Sequence, residues 1–443
     1  MIMGCGSDGG PASAPQAAGA GGGTSAPGAG GGGASGAAGA VSVGGGAGAG
    51  GSDAAGAGGF AAGGAGASAG AGLGGSAGGS GKGGSAGGTG VGGFQTAKHT
   101  AFPVIPKFGG PVLASPQIVT ITYAGYKFTP DVEAFGDFVV SSDWITAVGA
   151  DYGFAQGTHL AKVQLPDAAP ATMSDDELQM FIAAKLADGT LPKPAGNPND
   201  YLYIFYFPKT TKFKRVDGAA SCTTFLGFHN GYYSGPTRVA YAVIADCGAQ
   251  PGVPELGVIT STASHELAEA ASDPLPYNNP AFNFGSGNSM DPWHFWGSEN
   301  GDICAGVDYK HPSGNWLQRS WSNANAKLSL DPCVPPAQAD ASVFSVSASP
   351  STLQAVNPGQ AVTFKLTGWS TKERADWSLS YSIWRADFLP KIALGATTIN
   401  NGGTTDLTLT VPNAAPSGSL FLMTVESKSG TDVHPWPVAM FVP

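Results

Sequence analysis

Residues 256–272, which read LGVITSTASHELAEAAS, carry the strongest indication of the fold and of the chemistry of this chain. This stretch predicts a helix, which Pro274 ends because a proline disfavours the α conformation of the residue before it. Residues four apart lie on one face of a helix, so His265 and Glu269 are placed to hold one metal ion. Glu266 points about 100° away from that face, where it can take a proton from water.

The His-Glu-x-x-Glu pattern in this helix is typical of a zinc hydrolase site. It follows the H-E-x-x-H pattern of metalloproteases, with Glu269 in place of the second histidine ligand. Zn²⁺ held there can polarise a carbonyl group while Glu266 acts as the general base. The alternative interpretation is an exposed acidic face on a structural helix.

Acidic residues collect around this helix without basic partners nearby in sequence. From residue 239 to residue 309 the chain contains no Lys or Arg. Buried carboxylates need a counter-cation or must take up protons, so a bound metal is the simplest explanation. Lys or Arg side chains that fold back from elsewhere are the alternative. The acidic residues of this stretch are Asp246, Glu255, Glu266, Glu269, Asp273, Asp291, Glu299, Asp302 and Asp308.

A third metal ligand is expected from the loop after the helix, since a catalytic zinc ion takes three protein ligands and leaves a fourth position for water. The best source is residues 298–304, SENGDIC, where two carboxylates precede a cysteine. We rank Asp302 first, Glu299 second and His294, in an aromatic setting, third. Asp273 is fourth, because it has drifted about 80° around the helix from the first ligand. For each of them the alternative is a solvated loop carboxylate or a packed histidine.

One further histidine, His229, follows Cys222 closely in residues 227–233, GFHNGYY. It can reach the site as a proton donor or an oxyanion stabiliser. The alternative is a loop histidine that is hydrogen-bonded to the backbone. We keep it as a second catalytic candidate beside Glu266.

The first part of the chain cannot form a core. Seventy of the 443 residues are glycine, and residues 6–95 consist almost entirely of Gly, Ala and Ser. Such a tract buries too little apolar surface to offset its chain entropy, so we expect a disordered tether. The net charge of −10 and a pI near 5.0 argue against a nucleic-acid partner. No run of about 18 apolar residues predicts a membrane-spanning helix.

The residues before the tether resemble the lipobox of bacterial lipoproteins. The segment Ile2-Met3-Gly4-Cys5 places a cysteine after a small residue. The resemblance implies that Cys5 is lipidated and becomes the mature N-terminus, so that the protein meets the membrane through a lipid anchor only. Since a lipobox follows a basic and then an apolar stretch, we expect the native product to be longer at its N-terminus.

The remaining four cysteines form an even set, as expected of an exported protein in an oxidising compartment. Four cysteines allow three pairings. We favour Cys222 with Cys247 and Cys304 with Cys333, because each bridge closes a loop of about 30 residues or fewer around a segment of the site. The alternative is four buried free thiols.

Strand-like and helix-like patterns alternate through residues 96–336 and predict an α+β zincin-like domain. Mixed strands lie ahead of the metal-binding helix, and Ser174 and Glu177 form a capping box at the start of another helix. Residues 275–335 are rich in Pro, Gly and Asn, so we expect an ordered loop region held by a disulfide. The other predicted elements are strands at 117–123, 201–207 and 238–245 and helices at 131–148 and 174–186.

Residues 341–443 predict a separate, immunoglobulin-like β-sandwich. Apolar and polar residues alternate there with period two, and Gly- and Asn-rich turns separate the strands. Its tryptophans could form a surface that stacks on sugars, which makes a polysaccharide a candidate partner, while core packing is the alternative. These tryptophans are Trp369, Trp377, Trp384 and Trp436.

Several segments resemble the EXORDIUM (phosphate-induced) family of plants and its bacterial relatives. Residues 265–274, HELAEAASDP, look like the family's H-E-[LI]-A-E-x-x-[ST]-[DN]-P segment, and residues 299–304, ENGDIC, look like its E-[IV]-[GA]-D-x-C segment. Residues 227–229 and the strand-to-cysteine stretch 241–247 are similar to two further family segments. The resemblance spans roughly residues 117–335 and implies an extracellular protein with a metallohydrolase site.

These observations predict a tethered extracytoplasmic zinc hydrolase, either a cell-envelope lipoprotein or a secreted protein, and favour a metalloprotease that acts on a peptide or protein. The rival is a non-catalytic surface protein with a structural metal site and a sandwich that serves adhesion or carbohydrate binding. A calcium site built from the Asp-rich loop is a third alternative. His265 argues against calcium, which takes oxygen ligands.

Overall fold

The computed structural model describes residues 94–195, 199–215, 217–284, 290–336, 342–430 and 432–443. The predicted lipidation site Cys5 lies outside the described residues, as does nearly all of the predicted tether at 6–95. Of the helices in the described ranges, none combines the length and the apolar character needed to cross a membrane. The described chain has a mixed α+β part followed by a β-rich part.

The α+β part is built on a twisted sheet with helices on both faces. Its elements are, in chain order, β1 (Gln117–Thr122), α1 (Thr129–Val139), α2 (Asp143–Gly149), β2 (Thr158–Gln164), β3 (Thr172–Ser174), α3 (Asp175–Ala187), β4 (Tyr201–Phe207), β5 (Lys212–Lys214), β6 (Gly227–Ser234), β7 (Thr237–Ala245) and α4 (Glu255–Ser272). The five-stranded sheet has the order β2-β1-β4-β7-β6. Its first four strands run parallel, and the edge strand β6 runs antiparallel to β7.

The central strand β4 fixes this arrangement. Its sequence, YLYIFYF, is buried at every position, as expected of a parallel strand covered on both faces. One face of the sheet packs against α3 through residues such as Leu178 and Ile182. The other face packs against α1, α2 and α4 through residues such as Trp144 and Leu267. The helix with the His-Glu-x-x-Glu pattern therefore lies on the sheet, opposite α3.

The predicted strands and the two helices α3 and α4 are confirmed close to their predicted bounds. The capping box of α3 is also confirmed: the Ser174 hydroxyl accepts the Glu177 N–H, and the Glu177 carboxylate accepts the Ser174 N–H. The continuous helix predicted at 131–148 is wrong, because it divides into α1 and α2. The Ser142 hydroxyl donates to the Val139 carbonyl and accepts the Ile145 N–H, which starts a new helix.

The region at 275–335 is ordered by short elements rather than by a regular layer. They are α5 (Pro292–Trp296), a 3-10 turn at Asp302–Cys304, β8 (Asp308–Lys310), β9 (Trp316–Gln318), β10 (Ser320–Trp321), α6 (Asn323–Lys327) and β11 (Cys333–Val334). A disulfide between Cys304 and Cys333 joins the 3-10 turn to β11, and Cys222 is bonded to Cys247. Both bridges have the pairing expected from the sequence.

The C-terminal part consists of two sandwich-like antiparallel sheets. Its strands are β12 (Phe344–Ser349), β13 (Gln354–Ala355), β14 (Ala361–Ser370), β15 (Trp377–Ala386), β16 (Lys391–Leu394), β17 (Thr398–Ile399), β18 (Thr404–Thr410), β19 (Leu420–Ser429) and β20 (Asp432–Phe441). One sheet has the order β12-β14-β18-β16 and the other the order β13-β20-β19-β15-β17. Among the described strands of these two sheets, only the short strand β13 pairs in parallel, with β20.

The two parts share a hydrophobic core. The division into two domains with a boundary at 336–341 stays a prediction. Phe102, which precedes β1, contacts Trp293 and Trp321 of the α+β part and Trp369 and Trp436 of the sandwich, with ring centroids 5.3–6.2 Å apart. The largest cluster of buried apolar residues has members in both parts, the first of them Phe102 and the last Val442. Residues 337–341 themselves lie outside the described residues.

Three of the four tryptophans considered for sugar stacking are core residues. Trp369, Trp377 and Trp436 are at most 2% exposed, whereas Trp384 is 37% exposed. The Trp384 ring lies 4.1 Å from that of Trp296 in α5. A sugar-stacking surface made by all four is therefore wrong, because three of the four indole rings fill the interior.

Candidate metal centre

The centre is built on α4, a helix that is buried almost all round. Strands β6 and β7 cover one side of it, and β9 covers another. Small residues fill most of the remaining positions, in the sequence VITSTASHELAEAAS, so that neighbouring backbones can approach closely. The helix carries His265, Glu266 and Glu269, which are 1%, 1% and 3% exposed.

One group of ligand atoms comprises His265, Glu269 and Asp302, which lie within 4.8 Å of one another. The Nε2 atom of His265 is 3.1 Å from Oε1 of Glu269 and 3.7 Å from Oδ1 of Asp302. Ligand atoms about 2.1 Å from a tetrahedral zinc ion lie roughly 3.4 Å from one another. The predicted helix pair and the first-ranked third ligand are thus brought together in one group of ligand atoms that could hold a metal ion.

A second group comprises His229, Glu269 and Glu299, again within 4.8 Å of one another. Nδ1 of His229 is 3.4 Å from Oε2 of Glu269, and its Nε2 is 3.6 Å from Oε1 of Glu299. All three side chains are buried. Glu269 belongs to both groups, and each of its two oxygens faces a different histidine.

Glu266 belongs to neither group. Its carboxylate is 1% exposed, and neither oxygen accepts a hydrogen bond from the described residues. The nearest ring nitrogen, Nδ1 of His229, is 3.5 Å from its Oε2. A buried carboxylate without a hydrogen-bonded partner is costly, so its position beside two ligand groups requires an explanation.

Glycines allow the surrounding backbone to approach these carboxylates. A Cβ atom on Gly227 in β6 would lie 2.7 Å from Oε1 of Glu266, and one on Gly301 would lie 2.8 Å from Oε1 of Glu269. A Cβ atom on Gly231 would lie 2.3 Å from the carbonyl oxygen of Pro274. Glycine is required at these positions because neighbouring atoms pass close to the backbone, and not because the chain turns there.

The loop that supplies the third ligand is held by its own carboxylate and by its neighbours. Oδ2 of Asp302 accepts the N–H groups of Ser298 and Glu299, which leaves Oδ1 facing His265. The Asp302 N–H donates to Oε1 of Glu269, and the Gln318 amide donates to the Gly301 carbonyl. The disulfide at Cys304 fixes the end of the same loop.

Without a metal, the centre holds its carboxylates together only by taking up protons. Burial raises the pKa of Glu299 well above its usual range, and burial also raises the pKa of Glu266. Burial alone would raise the pKa of Glu269, but His265 and His229 offset it and lower this pKa to about 2. Burial alone would lower the pKa of His229, but Glu299, Glu266 and Glu269 raise it well above its ordinary value.

Histidines, rather than Lys or Arg, are the basic partners of these carboxylates in the described ranges. Basic side chains do fold back elsewhere on the acidic stretch: Lys127 pairs with Glu255 at 2.7 Å and with Asp246 at 3.6 Å. That cluster lies at the start of α4. The alternative of returning Lys or Arg residues therefore applies to one end of the helix and not to the candidate centre.

Two lower-ranked candidates join neither ligand group. The Asp273 carboxylate accepts the Ala281 N–H, and burial raises its pKa to about 6. His294 lies in α5, where burial lowers its pKa and its ring contacts Phe295. Asp273 contributes in another way, because its backbone carbonyl lies 3.1 Å from Nε2 of His229.

His229 lies on a strand, and its expected loop setting is wrong. The sequence GFHNGYY looks like a loop because of its two glycines, yet it forms β6 and pairs along its length with β7. The expected hydrogen bond to backbone is present, to the Asp273 carbonyl. The sequence would have predicted that His229 lies near three glutamates only if Gly227 and Gly231 had been interpreted as positions where the strand passes close to a helix.

Comparison with known proteins finds no matching family model and no matching curated protein. Among solved structures, a family 123 glycoside hydrolase from Clostridium perfringens is similar at 13% sequence identity, with a TM-score of 0.15. The match covers 20% of this chain and 22% of that chain. So small and loose a match carries no argument about fold or activity.

Proposed function

We propose that this protein is an extracytoplasmic zinc-dependent hydrolase whose substrate is a peptide or protein. His265, Glu269 and Asp302 would hold the ion. The observation that carries the proposal is the Glu266 carboxylate, which is 1% exposed, accepts no hydrogen bond from described residues and belongs to neither ligand group. A general base must be ionised, close to the reacting water and not itself a ligand.

The residues would divide the chemistry along the helix. A bound zinc ion would polarise the substrate carbonyl and lower the pKa of water. Glu266 would accept the proton from that water, and burial raises the pKa of its carboxyl group, which makes the carboxylate a stronger base. Asp302 uses one oxygen to hold its own loop, which orients the other towards His265. A proton-donor role for His229 stays a prediction.

The architecture and the disulfides are compatible with this proposal. A mixed sheet beside a metal-binding helix suits a zincin-like domain, and the paired sheets after residue 341 suit an immunoglobulin-like sandwich. Disulfides are typical of proteins that fold outside the reducing cytoplasm. Lipidation at Cys5 remains part of the proposal, with the anchor as the route to the cell envelope.

A second candidate function is a non-catalytic surface protein with a structural metal. The observation that favours it is burial: the two histidines and the carboxylates of both ligand groups are all at most 4% exposed. Structural metal sites are closed, whereas catalytic sites keep an open position. In this alternative the sandwich would bind a polysaccharide or another surface, and Trp384 is its exposed tryptophan.

Replacing a ligand and replacing the base should have different effects. His265→Ala should lose the zinc ion held with Glu269 and Asp302, whereas Glu266→Gln should keep that ion and lose turnover by about 10²- to 10⁴-fold, as for a lost general base. Bound zinc is measured as the zinc content of the purified protein, and turnover is measured by digestion of a peptide library. If the wild type binds zinc but cleaves no peptide, ester or amide, the structural alternative is favoured. If the folded wild type binds no zinc, both functions are wrong.

A further inference from the structure

Both ring nitrogens of His229 lie near carboxylate oxygens, and Nε2 also has a backbone acceptor. Its Nε2 lies 3.1 Å from the Asp273 carbonyl oxygen and donates a hydrogen bond to it. In a neutral ring this leaves a lone pair on Nδ1. That atom is 3.4 Å from Oε2 of Glu269 and 3.5 Å from Oε2 of Glu266. A lone pair facing two carboxylate oxygens is repulsive unless a proton or a cation lies between them.

The arrangement around His229 is that of a metal-binding histidine. Ligating histidines usually donate their other ring N–H to a carbonyl or carboxylate, which fixes the tautomer and the ring orientation. Here the acceptor is a backbone carbonyl at the end of α4, and His229 itself is fixed in β6, where it pairs with Ala242 of β7. The proton-donor role considered for His229 and a ligand role through Nδ1 exclude each other.

Glu299 supplies a second buried acceptor without a hydrogen-bonded donor. Its residue is 4% exposed, and its Oε1 accepts no hydrogen bond from described residues. Glu299 places a ligand atom within 4.8 Å of ligand atoms of both His229 and Glu269. This oxygen lies 3.6 Å from Nε2 of the same ring, so the unpartnered Glu299 oxygen and the Nδ1 lone pair are two separate indications of a cation beside His229.

If the five buried carboxyl groups of the centre are all ionised, one divalent ion does not balance their charge. Glu266, Glu269, Asp273, Glu299 and Asp302 are all at most 4% exposed. With neutral histidines, a single divalent ion leaves three negative charges in the interior, and two divalent ions leave one. Uncompensated buried charge is among the most costly features of a protein interior.

We propose that a second divalent cation binds between His229, Glu269 and Glu299, so that Glu269 bridges two ions. The inference rests on the proposed function for the first ion, held by His265, Glu269 and Asp302. Oε1 of Glu269 faces the first site, and Oε2 faces the second. A carboxylate that presents its two oxygens to two histidines is suited to bridging, and paired metal ions occur in hydrolytic enzymes.

The test is the stoichiometry of the full chain. Protein stripped by dialysis against a chelator is titrated with Zn²⁺, and bound metal is counted by mass spectrometry after gel filtration. We expect two ions per chain in the wild type and one in Glu299→Gln or Asp302→Asn. Glu269→Gln should weaken both sites at least 10-fold. Glu255→Gln is the matched control on the same helix, since Glu255 pairs with Lys127 away from the centre, and it should retain two ions.

Manganese tests the bridge without any variant. Mn²⁺ added to the stripped wild type should give the electron paramagnetic resonance signal of an exchange-coupled pair, because a shared carboxylate couples the two ions. The wild-type measurements do not depend on the folding of a variant. An uncoupled manganese signal would overturn the proposal. A second zinc ion that survives Glu299→Gln would also overturn it, because that ion would bind elsewhere, for example at the surface pair of His311 and Asp143.

The two proposals fail in different ways. If the wild type binds one ion that Asp302→Asn removes and Glu299→Gln leaves, the second site is wrong and the Nδ1 atom of His229 carries a proton, while the proposed function stands. If the stripped, folded wild type takes up no ion, the proposed function fails together with the second site.

Discussion

At the scale of single residues, Glu269 is the carboxylate that both candidate ligand groups share. Its Oε1 faces His265 and accepts the N–H of Asp302, while its Oε2 faces His229. One carboxylate thus joins α4 to the edge strand β6 and to the loop after α5. It can do so because Gly301, which has no side chain, passes against it.

Gly301→Ala should therefore weaken metal binding without removing a ligand. The new Cβ atom would lie 2.8 Å from Oε1 and 3.0 Å from Cγ of Glu269, so the carboxylate must move. We expect zinc affinity to fall on the order of 10- to 100-fold, as for changes in groups that orient ligands. Competition with a chromophoric chelator measures the affinity.

The matched control is Gly109→Ala, because a Cβ atom there meets nothing within 4 Å. It should bind zinc as the wild type does. Equal affinities in both variants would mean that Glu269 is not a ligand, or that its loop shifts freely.

The pKa shifts predict opposite pH trends with and without metal. Burial raises the pKa of Glu299, and raises that of Asp273 to about 6, so the folded metal-free protein binds protons that the unfolded chain releases above about pH 4. Their stabilisation is present at low pH and is lost as the pH rises through the folded values. The raised pKa of His229 acts in the same direction.

Metal-free protein should accordingly gain stability between about pH 7.5 and 5. The trend should reverse below about pH 4, where Glu269, with its pKa lowered to about 2, begins to lose its stabilisation. Zinc-loaded protein should instead lose stability on acidification, because protons compete with the metal for its ligands. Thermal unfolding with chelator or with zinc measures both. Parallel trends in the two series would contradict a metal centre at these residues.

At the scale of elements, the loop with Glu299 and Asp302 is held at both ends. Helix α5, just before it, packs against β19 and β20 of the sandwich. The 3-10 turn at its end is bonded to β11 through Cys304 and Cys333. Strand β10 adds a hydrogen bond from the Trp321 N–H to the Asn300 carbonyl. The ligands of the loop thus depend on elements outside α4, including two strands of the sandwich.

Removing the Cys304–Cys333 bridge should affect stability and metal binding together. The double substitution to Ala should lower the free energy of unfolding by roughly 3 kcal/mol in the chain-entropy model and also weaken zinc binding, because Asp302 lies in the bonded turn. The same substitution at Cys222 and Cys247, which closes a loop of similar length, serves as the comparison. It should lower stability by a similar amount with a smaller effect on zinc. Equal losses of affinity would contradict a specific role for the Cys304 bridge.

The sequence predicts elements well where local signals agree with packing. Strand β4 has seven buried apolar or aromatic residues, and α3 has its capping box, so both were identifiable. Strand β6 was not, because Gly227 and Gly231 have the same appearance in a loop as in a strand that passes close to a helix. The i, i+4 spacing placed His265 and Glu269, whereas the second ligand group depends on contacts between β6 and the distant loop, which no local pattern reports.

At the scale of the whole molecule, the sandwich and the α+β part form a shared interior. Phe102 lies between tryptophans of both parts, and His99 stacks on Trp369 with ring centroids 3.9 Å apart. The Ala97 N–H donates to the Asn401 side chain in the sandwich. The chain thus crosses the sandwich before it enters the α+β part, and the two cores are continuous.

We expect the full chain to unfold in one cooperative transition rather than two. Calorimetry, near-ultraviolet circular dichroism and tryptophan fluorescence should give one midpoint for metal-free protein. Phe102→Ala should shift that midpoint for all probes, with a cost of about 3–5 kcal/mol for a lost core aromatic. Leu389→Ala, at a residue 68% exposed, is the control and should leave it in place. Two separated transitions would show that the parts are independent domains.

The shared interior also has a consequence for synthesis. Trp436 lies in β20, which comes last among the described elements, and it contacts both Phe102 and Trp293. A growing chain therefore exposes these aromatic surfaces until β20 has left the ribosome. Premature termination before residue 432 would leave the α+β part with an open interior, and such a product should be a substrate for chaperones and proteases rather than a smaller working protein.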